Sequence, residues 1–197
     1  QYPKAGEANS SARIGVVAAT GGEVRWLEFE GDPREHYLAR MDWVPGGTEV
    51  VVQRLNRLQN TLDIHLANPT TGRLTRVFTE RDSAWVDVDD DLRFIDNGRA
   101  FLWSSERDGW EHVFRVSRDG RKVKLLTPGD HDVLRLDGVD QKAGWLYFTA
   151  SPDNPAQRYL YRAKLGGGKP ERVTPVANAG TNAYDIAPDA RFAWHTH

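Results

Sequence analysis

The sequence predicts an all-β protein, a fragment of a β-propeller of about four blades built from four-stranded antiparallel sheets. Short runs rich in Val, Ile, Tyr, Phe, Trp and Thr follow one another along the 197 residues. Gly, Pro, Asn and Asp separate these runs, and no convincing helical pattern interrupts them. The pattern also repeats after about 45 to 50 residues, which is the period of a propeller blade.

Two runs open the chain around a hairpin at Gly21-Gly22, and a set of four follows. In order, the predicted strands of this part are Arg13 to Ala18, Val24 to Phe29, Tyr37 to Trp43, Glu49 to Leu55, Thr61 to Ala67 and Leu74 to Thr79.

Two further sets of four and a final pair occupy the rest of the chain, again with Gly, Pro and Asp at the turns. The predicted strands are Leu92 to Ile95, Ala100 to Ser105, His112 to Val116, Val123 to Thr127, Leu134 to Val139, Trp145 to Ala150, Tyr159 to Ala163, Glu171 to Val173, Asn182 to Ala187 and Arg191 to Thr196.

Each set of four has the same order of features. The third strand ends in a turn that contains Gly72, Gly120 or Gly167, and the fourth ends at Thr79, Thr127 or Thr174. A single blade cannot cover both of its faces, so stacked repeats are needed. We therefore expect one propeller domain over residues 1–197, with partial blades at about 1–32 and 177–197 and whole blades at about 33–82, 83–129 and 130–176. Both ends divide a blade, which predicts a fragment of a larger propeller.

Composition excludes several function classes. The 26 basic and 28 acidic residues are mixed along the chain, so no basic stripe suited to nucleic acid is present. No apolar run approaches the roughly 20 residues of a membrane-spanning helix, and no signal peptide is recognisable. The absence of cysteine excludes disulfides and thiolate chemistry.

Catalytic motifs are also missing from these residues. No serine lies in a Gly-x-Ser-x-Gly elbow, so a serine triad is not recognisable. His195-x-His197 is the one close histidine pair, and a strand histidine followed by a frayed terminus explains it better than a metal site. We expect no cofactor.

The acidic stretch Asp87 to Asp91 is the densest cluster of charge. It does not match a calcium-binding EF-hand loop, because Leu92 and Gly98 occupy the places of the required Gly and Glu. A solvated loop is favoured, with Arg81 and Arg93 as expected neighbours.

A shared rim is the place where a ligand would bind. In an up-and-down blade, the loop that enters the first strand and the loop between strands two and three emerge on the same face. Residues 85–90, 54–60, 107–110 and 153–157 would therefore share one rim. Trp85 and Trp110 are expected at the surface, whereas Trp26, Trp43, Trp103, Trp145 and Trp194 are expected in the core between blades.

Several stretches together resemble the N-terminal propeller of the dipeptidyl peptidase IV family over essentially the whole chain. These are "YPKAG" at 2–6, "YLARMDW" at 37–43, "QRLNRLQN" at 53–60, "SERDGWEHVF" at 105–114 and "GWLYFTA" at 144–150. The resemblance implies the later half of an eight-bladed propeller that is followed by a C-terminal α/β-hydrolase domain. Such a parent protein would be a serine exopeptidase, expected as a homodimer, that removes Xaa-Pro or Xaa-Ala dipeptides.

The resemblance also implies what this chain lacks. The family's paired glutamates lie upstream of Gln1 and its triad lies downstream of His197, so the chain alone is not expected to be an enzyme and would form the wall and gate of the active-site cavity. Where some members place an aromatic residue and an arginine in the pocket, this sequence has Val86, Asp87 and Val88. Trp85 and Asp87, together with Arg54 and Arg57, are the candidate pocket neighbours, and no catalytic or metal residue is assigned.

Two further expectations follow from the resemblance. The short hairpin at Gly21-Gly22 is similar to that of bacterial members, whereas eukaryotic members extend it for dimerisation. Family resemblance favours a periplasmic or secreted location. A propeller that only binds a protein or peptide partner remains an alternative, and a cation-dependent module built on Asp87 to Asp91 is a third.

Overall fold

The computed structural model describes Lys4 and residues 6–197. These residues contain sixteen strands and no helix, and so no helix long and apolar enough to cross a bilayer. The strands are β1 (Gly15–Val16), β2 (Arg25–Trp26), β3 (His36–Trp43), β4 (Val50–Asn56), β5 (Thr61–Ala67), β6 (Leu74–Arg81), β7 (Arg93–Ile95), β8 (Ala100–Ser105), β9 (His112–Ser117), β10 (Val123–Leu125), β11 (Val133–Asp140), β12 (Trp145–Ala150), β13 (Tyr159–Lys164), β14 (Glu171–Arg172), β15 (Ala183–Ile186) and β16 (Ala193–Thr196).

The strands form three four-stranded antiparallel sheets, β3–β6, β7–β10 and β11–β14, and two hairpins, β1–β2 and β15–β16. Each four-stranded sheet keeps its strands in chain order from one edge to the other. This is the order of a propeller blade. The predicted fold class, a β-propeller fragment, is therefore confirmed.

The first two strands are shorter than the sequence predicts. Only Gly15 with Trp26 and Val16 with Arg25 are paired in β1–β2. One further bond joins Leu27 N to Ile14 O, and the next amide, that of Glu28, points to the other edge of the strand and bonds to the carbonyl oxygen of Gly72. Position 72 requires glycine, since it has a φ of +77° and a Cβ there would lie 2.4 Å from the Trp26 carbonyl oxygen.

The described residues divide into two compact units, the first ending at Asp90 and the second spanning Asp91–His197. In the first unit, Val50, Val52 and Ala67 form one buried face of sheet β3–β6, and Leu27 packs on it. Alternate residues of a strand point to the same face, which is why the two β4 valines lie side by side.

The core of the second unit lies between sheets β7–β10 and β11–β14. Leu102 and Val113 from the first sheet and Leu146 and Phe148 from the second belong to one buried cluster. All four side chains are almost completely buried, so the two sheets are held together mainly by apolar burial.

The expectation that five tryptophans form an inter-blade core is correct only in part. Trp103 is 1% exposed, but Trp43 is 50% and Trp194 is 77% exposed, and Trp26 is also exposed. Trp43 ends β3, an edge strand whose last four residues are all exposed. Trp145 is half-buried, with the cationic groups of Arg162 and Lys164 over its ring. An aromatic residue at a repeated position is therefore buried only where a second sheet covers that part of the strand.

Candidate functional site

An equivalent backbone hydrogen bond joins two loops at one end of each four-stranded sheet. The loop between the second and third strands accepts a hydrogen bond from the segment that follows the fourth strand. Val86 N bonds to Gln59 O at 2.8 Å, Val133 N to Glu111 O at 2.7 Å, and Asn182 N to Arg158 O at 3.0 Å. Within each unit, the two kinds of loop predicted to share a rim therefore lie next to each other.

Trp85 is held at the rim of the first unit by its own loop. The Asp82 carboxylate accepts the amides of Ala84 and Trp85, at 2.7 and 3.2 Å, and these bonds lower the pKa of Asp82. The indole Nε1 of Trp85 donates to Asp87 Oδ1 at 2.8 Å, and 52% of the residue is exposed. An aromatic surface with an adjacent carboxylate is thus presented to solvent, an arrangement suited to contact with a peptide.

Arg57 lies at the same end of sheet β3–β6, in the turn between β4 and β5. Its amide donates to Glu35 O at 3.1 Å, just before β3 begins. Its guanidinium reaches Arg34 O at 3.5 Å, and the residue is exposed. Arg57, Trp85 and Asp87 are therefore all solvent-accessible on segments joined by backbone hydrogen bonds.

Arg54 does not join this group. Its Nη2 donates to Glu30 O at 2.8 Å and lies 3.0 Å from His36 Nδ1. It lines a cavity of about 290 Å³, together with Glu28, Phe29, Glu30, Asp63, His65, Leu74 and Arg76. The main contact of Arg54 is thus with the segment that precedes β3.

Two buried histidines accompany Arg54. The Phe29 ring lies 6.0 Å from the His36 ring and 5.7 Å from the His65 ring, centroid to centroid. Burial lowers the pKa of both histidines, and the positive charge of Arg54 acts in the same direction, opposed at His65 by Asp63. Both histidines of this cluster are therefore neutral near pH 7.

Gln53, which is not among the residues that the sequence indicates, connects the candidate loop to the sheet. Its Nε2 donates to Asp89 O at 2.6 Å, and the residue is 4% exposed. Inside the "QRLNRLQN" stretch only the apolar alternation could have indicated that this amide faces inward. Gln53 positions the segment that carries Trp85 and Asp87.

The acidic stretch 87–91 is largely engaged within the chain. Asp87 accepts the Trp85 indole, and Asp90 pairs with Arg40, which lowers the pKa of Asp90. Asp91 pairs with Arg93 at 3.0 Å, as expected, but the partner of Asp90 is Arg40 rather than Arg81. Among the residues that the structure describes, no group of three or more acidic or histidine side chains is arranged to hold a metal ion. The stretch is a set of local ion pairs and hydrogen bonds.

Comparison with known proteins covers the whole chain. The model of the family described as "Dipeptidyl peptidase IV (DPP IV) N-terminal region" matches residues 1–197. Tyr2, Pro3 and Ala5 of the "YPKAG" stretch lie outside the described residues.

Individual relatives agree with this match. The chain is 27% identical to the protein named probable dipeptidyl-aminopeptidase B of Coccidioides posadasii, over 98% of this chain and 23% of that protein. It is 29% identical to "Inactive dipeptidyl peptidase 10" of Mus musculus, over 84% of this chain and 22% of that protein. The chain thus spans about a quarter of the length of the curated relatives it matches.

A solved structure supports the same assignment. The crystal structure of Porphyromonas gingivalis dipeptidyl peptidase 4 superimposes with a TM-score of 0.88 and 26% sequence identity, over 100% of this chain and 28% of that one. Because the family model matches every residue and the strand order is that of propeller blades, the chain belongs to the family of dipeptidyl peptidase IV N-terminal regions.

Proposed function

We propose that the chain is the later half of the N-terminal propeller of a serine exopeptidase that removes Xaa-Pro and Xaa-Ala dipeptides from peptide N-termini. In this proposal the chain walls and gates the active-site cavity and has no catalytic triad of its own. The triad would belong to a C-terminal α/β-hydrolase domain of the parent protein. Such a parent would be an exported homodimer.

The observation that carries the proposal is the family match over all 197 residues. The absence of a Gly-x-Ser-x-Gly elbow from the sequence supports the assignment of a wall rather than a catalytic role. Serine peptidases accelerate acyl transfer by an activated hydroxyl and an oxyanion site. A propeller wall adds to this by excluding long or folded chains and by orienting the free amino terminus.

Trp85, Asp87 and Arg57 are the proposed pocket neighbours of this chain. They share one end of sheet β3–β6, and Trp85 and Arg57 are exposed. An exposed indole can contact the apolar parts of a peptide, while Asp87 fixes the orientation of that indole. Arg54, the fourth candidate, is proposed to act indirectly by holding residue Glu30.

The test compares dipeptidyl anilides as substrates of the intact polypeptide that contains the chain. We expect cleavage of Gly-Pro and Ala-Ala anilides, with no cleavage of Gly-Leu anilide or of a Gly-Pro anilide whose amino group is acetylated. The chain expressed alone should cleave none of them. The proposal would be contradicted if the isolated chain, purified free of contaminating proteases, cleaved these substrates. It would also be contradicted if the acetylated and the free Gly-Pro anilide were cleaved at equal rates.

A propeller that only binds a partner is the second candidate. One matched relative is named an inactive dipeptidyl peptidase, so membership in this family is compatible with a protein that does not cleave peptides. The sequence of the natural polypeptide separates the two candidates: a serine elbow after the propeller favours the peptidase, whereas its absence favours the binding module.

A further inference from the structure

Two histidines and a tyrosine meet in the second unit where sheets β7–β10 and β11–β14 pack together. His112 begins β9, His131 lies in the segment of residues 128–132 between β10 and β11, and Tyr161 lies in β13. The rings of His112 and His131 are 6.2 Å apart at an interplanar angle of 82°, and those of His131 and Tyr161 are 6.5 Å apart. Phe148 stacks on Tyr161 at 5.8 Å, so one side of this cluster is apolar.

One nitrogen of each imidazole, Nε2, lacks an acceptor in the part of the chain that the structure describes. His112 is 2% exposed, and its Nδ1 lies 3.0 Å from the Asp108 carboxylate, which can only accept, so Nδ1 is the donor. The Nε2 atoms of His112 and His131 are buried and have no hydrogen-bond partner among the residues that the structure describes. A protonated imidazole needs partners for both N–H groups, so a charge on His131 is unfavourable in this position.

Acidic residues from three loops lie near the pair. Asp108 belongs to the β8–β9 loop, Asp130 and Asp132 flank His131, and Asp153 belongs to the β12–β13 loop. Asp153 accepts the Tyr161 hydroxyl at 3.3 Å, and Arg172 lies 3.4 Å from it. Burial lowers the pKa of His131, the neighbouring His112 lowers it further, and Asp132, Asp130 and Asp153 act in the opposite direction.

The loop that carries His131 is joined to Glu111 at the rim by two hydrogen bonds. Glu111 N donates to Asp132 Oδ1 at 2.8 Å, and Val133 N donates to Glu111 O at 2.7 Å. The imidazole packs over Gly129, where a Cβ would lie 2.2 Å from Cε1 of His131. The ring therefore occupies space that any other residue at position 129 would fill, and it covers the backbone of its own loop.

We propose that His131 is a proton-operated latch that, when neutral, closes residues 128–132 over His112 and Tyr161 and, when protonated, releases them toward solvent. Protonation would place a charge beside the rings of His112 and Tyr161 on an imidazole whose Nε2 has no acceptor among the described residues, whereas water would accept from that Nε2 once the ring is released. The released segment belongs to the rim, so the shape of the rim would change at mildly acidic pH. This device concerns proton binding and does not depend on peptidase activity.

The test is hydrogen exchange of the intact polypeptide at pH 7.5 and pH 5.5, followed by mass spectrometry and corrected for the chemical exchange rate. A lowered histidine pKa weakens the closed state only below the ordinary value of 6.5, by at most about tenfold per pH unit. We expect the corrected exchange rate of peptides covering residues 128–135 to be at least about threefold higher at pH 5.5 than at pH 7.5. Peptides of β12 should change less, because the sheet itself stays folded.

Three variants test whether protonation of His131 causes the change in exchange. His131→Phe keeps an aromatic ring and His131→Gln keeps a polar group, and neither can be protonated, so both should lose the response to pH. His195→Gln is the matched control, since His195 bonds to Asn182 elsewhere in the same unit and its removal should leave the response intact. If one His131 variant fails to fold, the other decides. An equal response in the wild type and both His131 variants, or no response in the wild type, would overturn the proposal.

Discussion

Gln53 and Arg54 are consecutive residues of β4, and their side chains bind on opposite faces of the sheet. Gln53 donates to Asp89 O at 2.6 Å, in the loop that carries Trp85, whereas Arg54 donates to Glu30 O at 2.8 Å, in the segment before β3. Successive side chains of a strand alternate between the faces. The two residues therefore fix the two flanking segments of one sheet, one segment on each face.

The Gln53 bond can be tested by removing the donor in two ways. Gln53→Leu should lower the free energy of unfolding by about 1 to 3 kcal/mol, because the part-buried Asp89 carbonyl loses its donor. Gln53→Glu should lower it more at pH 7, since a carboxylate would face the Asp89 carbonyl oxygen. Urea denaturation measures both, with exposed Arg57→Gln as a control expected within about 0.5 kcal/mol of wild type. Equal stability of Gln53→Leu and Gln53→Glu would contradict this prediction.

Two threonines that follow the last strand of their sheets, two residues after β10 and after β14, have the same structural role. Thr127 Oγ1 accepts Val113 N at 2.9 Å, and Thr174 Oγ1 accepts Leu160 N at 2.8 Å, both in buried positions. Thr127→Val and Thr174→Val keep the volume but leave an amide without an acceptor, so each should cost about 1 to 3 kcal/mol of unfolding free energy.

Thr79 provides the matched comparison for those two variants. Its hydroxyl donates to Asp63 Oδ1 at 2.6 Å and is only part-buried. Thr79→Val should therefore cost less, about 0.5 to 1.5 kcal/mol. Thr127→Ser should retain most of the wild-type stability, and a Thr127→Ser variant as unstable as Thr127→Val would show that the hydroxyl is not responsible.

The role of Trp85 follows from the proposed peptidase function. Trp85→Ala in the intact polypeptide should raise KM for Gly-Pro anilide about tenfold, equivalent to roughly 1.4 kcal/mol of binding. Its Tm should change little, because half of the residue is already exposed. Unchanged KM and kcat in a folded Trp85→Ala protein would remove Trp85 from the pocket.

Two variants of Asp87 distinguish an effect of its negative charge from an effect of its hydrogen bond to Trp85. Asp87→Asn retains an oxygen that can accept the Trp85 indole, whereas Asp87→Ala does not. If Asp87 acts by orienting the indole, KM should rise in Asp87→Ala and stay near the wild-type value in Asp87→Asn. A rise of equal size in both variants would indicate that the negative charge itself contacts the substrate.

Removal of the Arg54 charge should change the acid sensitivity of the first unit. Burial is the largest cause that lowers the pKa of His36 and His65, and Arg54 lowers both further. With lowered folded-state pKa values, stability is complete above about 6.5 and decreases as pH falls below it, because the unfolded chain then binds more protons. Arg54→Met should raise both folded-state pKa values and make this decrease shallower.

Stability measured between pH 7.5 and pH 5 checks the Arg54 prediction. Arg54→Met should also be less stable at pH 7.5, since the bond to Glu30 O is lost. Arg57→Met is the control, because Arg57 is exposed and contacts the Arg34 carbonyl oxygen instead. If the free energy of unfolding of Arg54→Met fell with decreasing pH as steeply as that of the wild type, the assigned effect of the Arg54 charge would be contradicted.

Local patterns were sufficient to predict the strands. Thr61–Ala67, Ala100–Ser105 and Trp145–Ala150 have the bounds that their residue alternation indicates. The Gly and Asx turns between them depend on backbone preferences of a few adjacent residues. Burial of tryptophan was not predictable in the same way, because Trp43 and Trp103 both lie in strands but only Trp103, in an inner strand, is covered.

The candidate site was predictable only in outline. Topology places the loops with Arg57 and Trp85 at one end of the sheet, and the hydrogen bond from Val86 N to Gln59 O agrees with this. The separation of Arg54 from Trp85 and the role of Gln53 required the structure, since the segment that meets each face of a strand depends on packing.

The sequence by itself determined the number, order and type of the strands, because alternation and turn residues act over a few positions. The tertiary structure alone decided that half-buried His131 lies against buried His112 and Tyr161. These residues come from β9, from the β10–β11 connection and from β13, and nothing local links them. Their contact exists because the apolar faces of two sheets pack together, which buries the His112 ring and, by partial burial, lowers the pKa of His131.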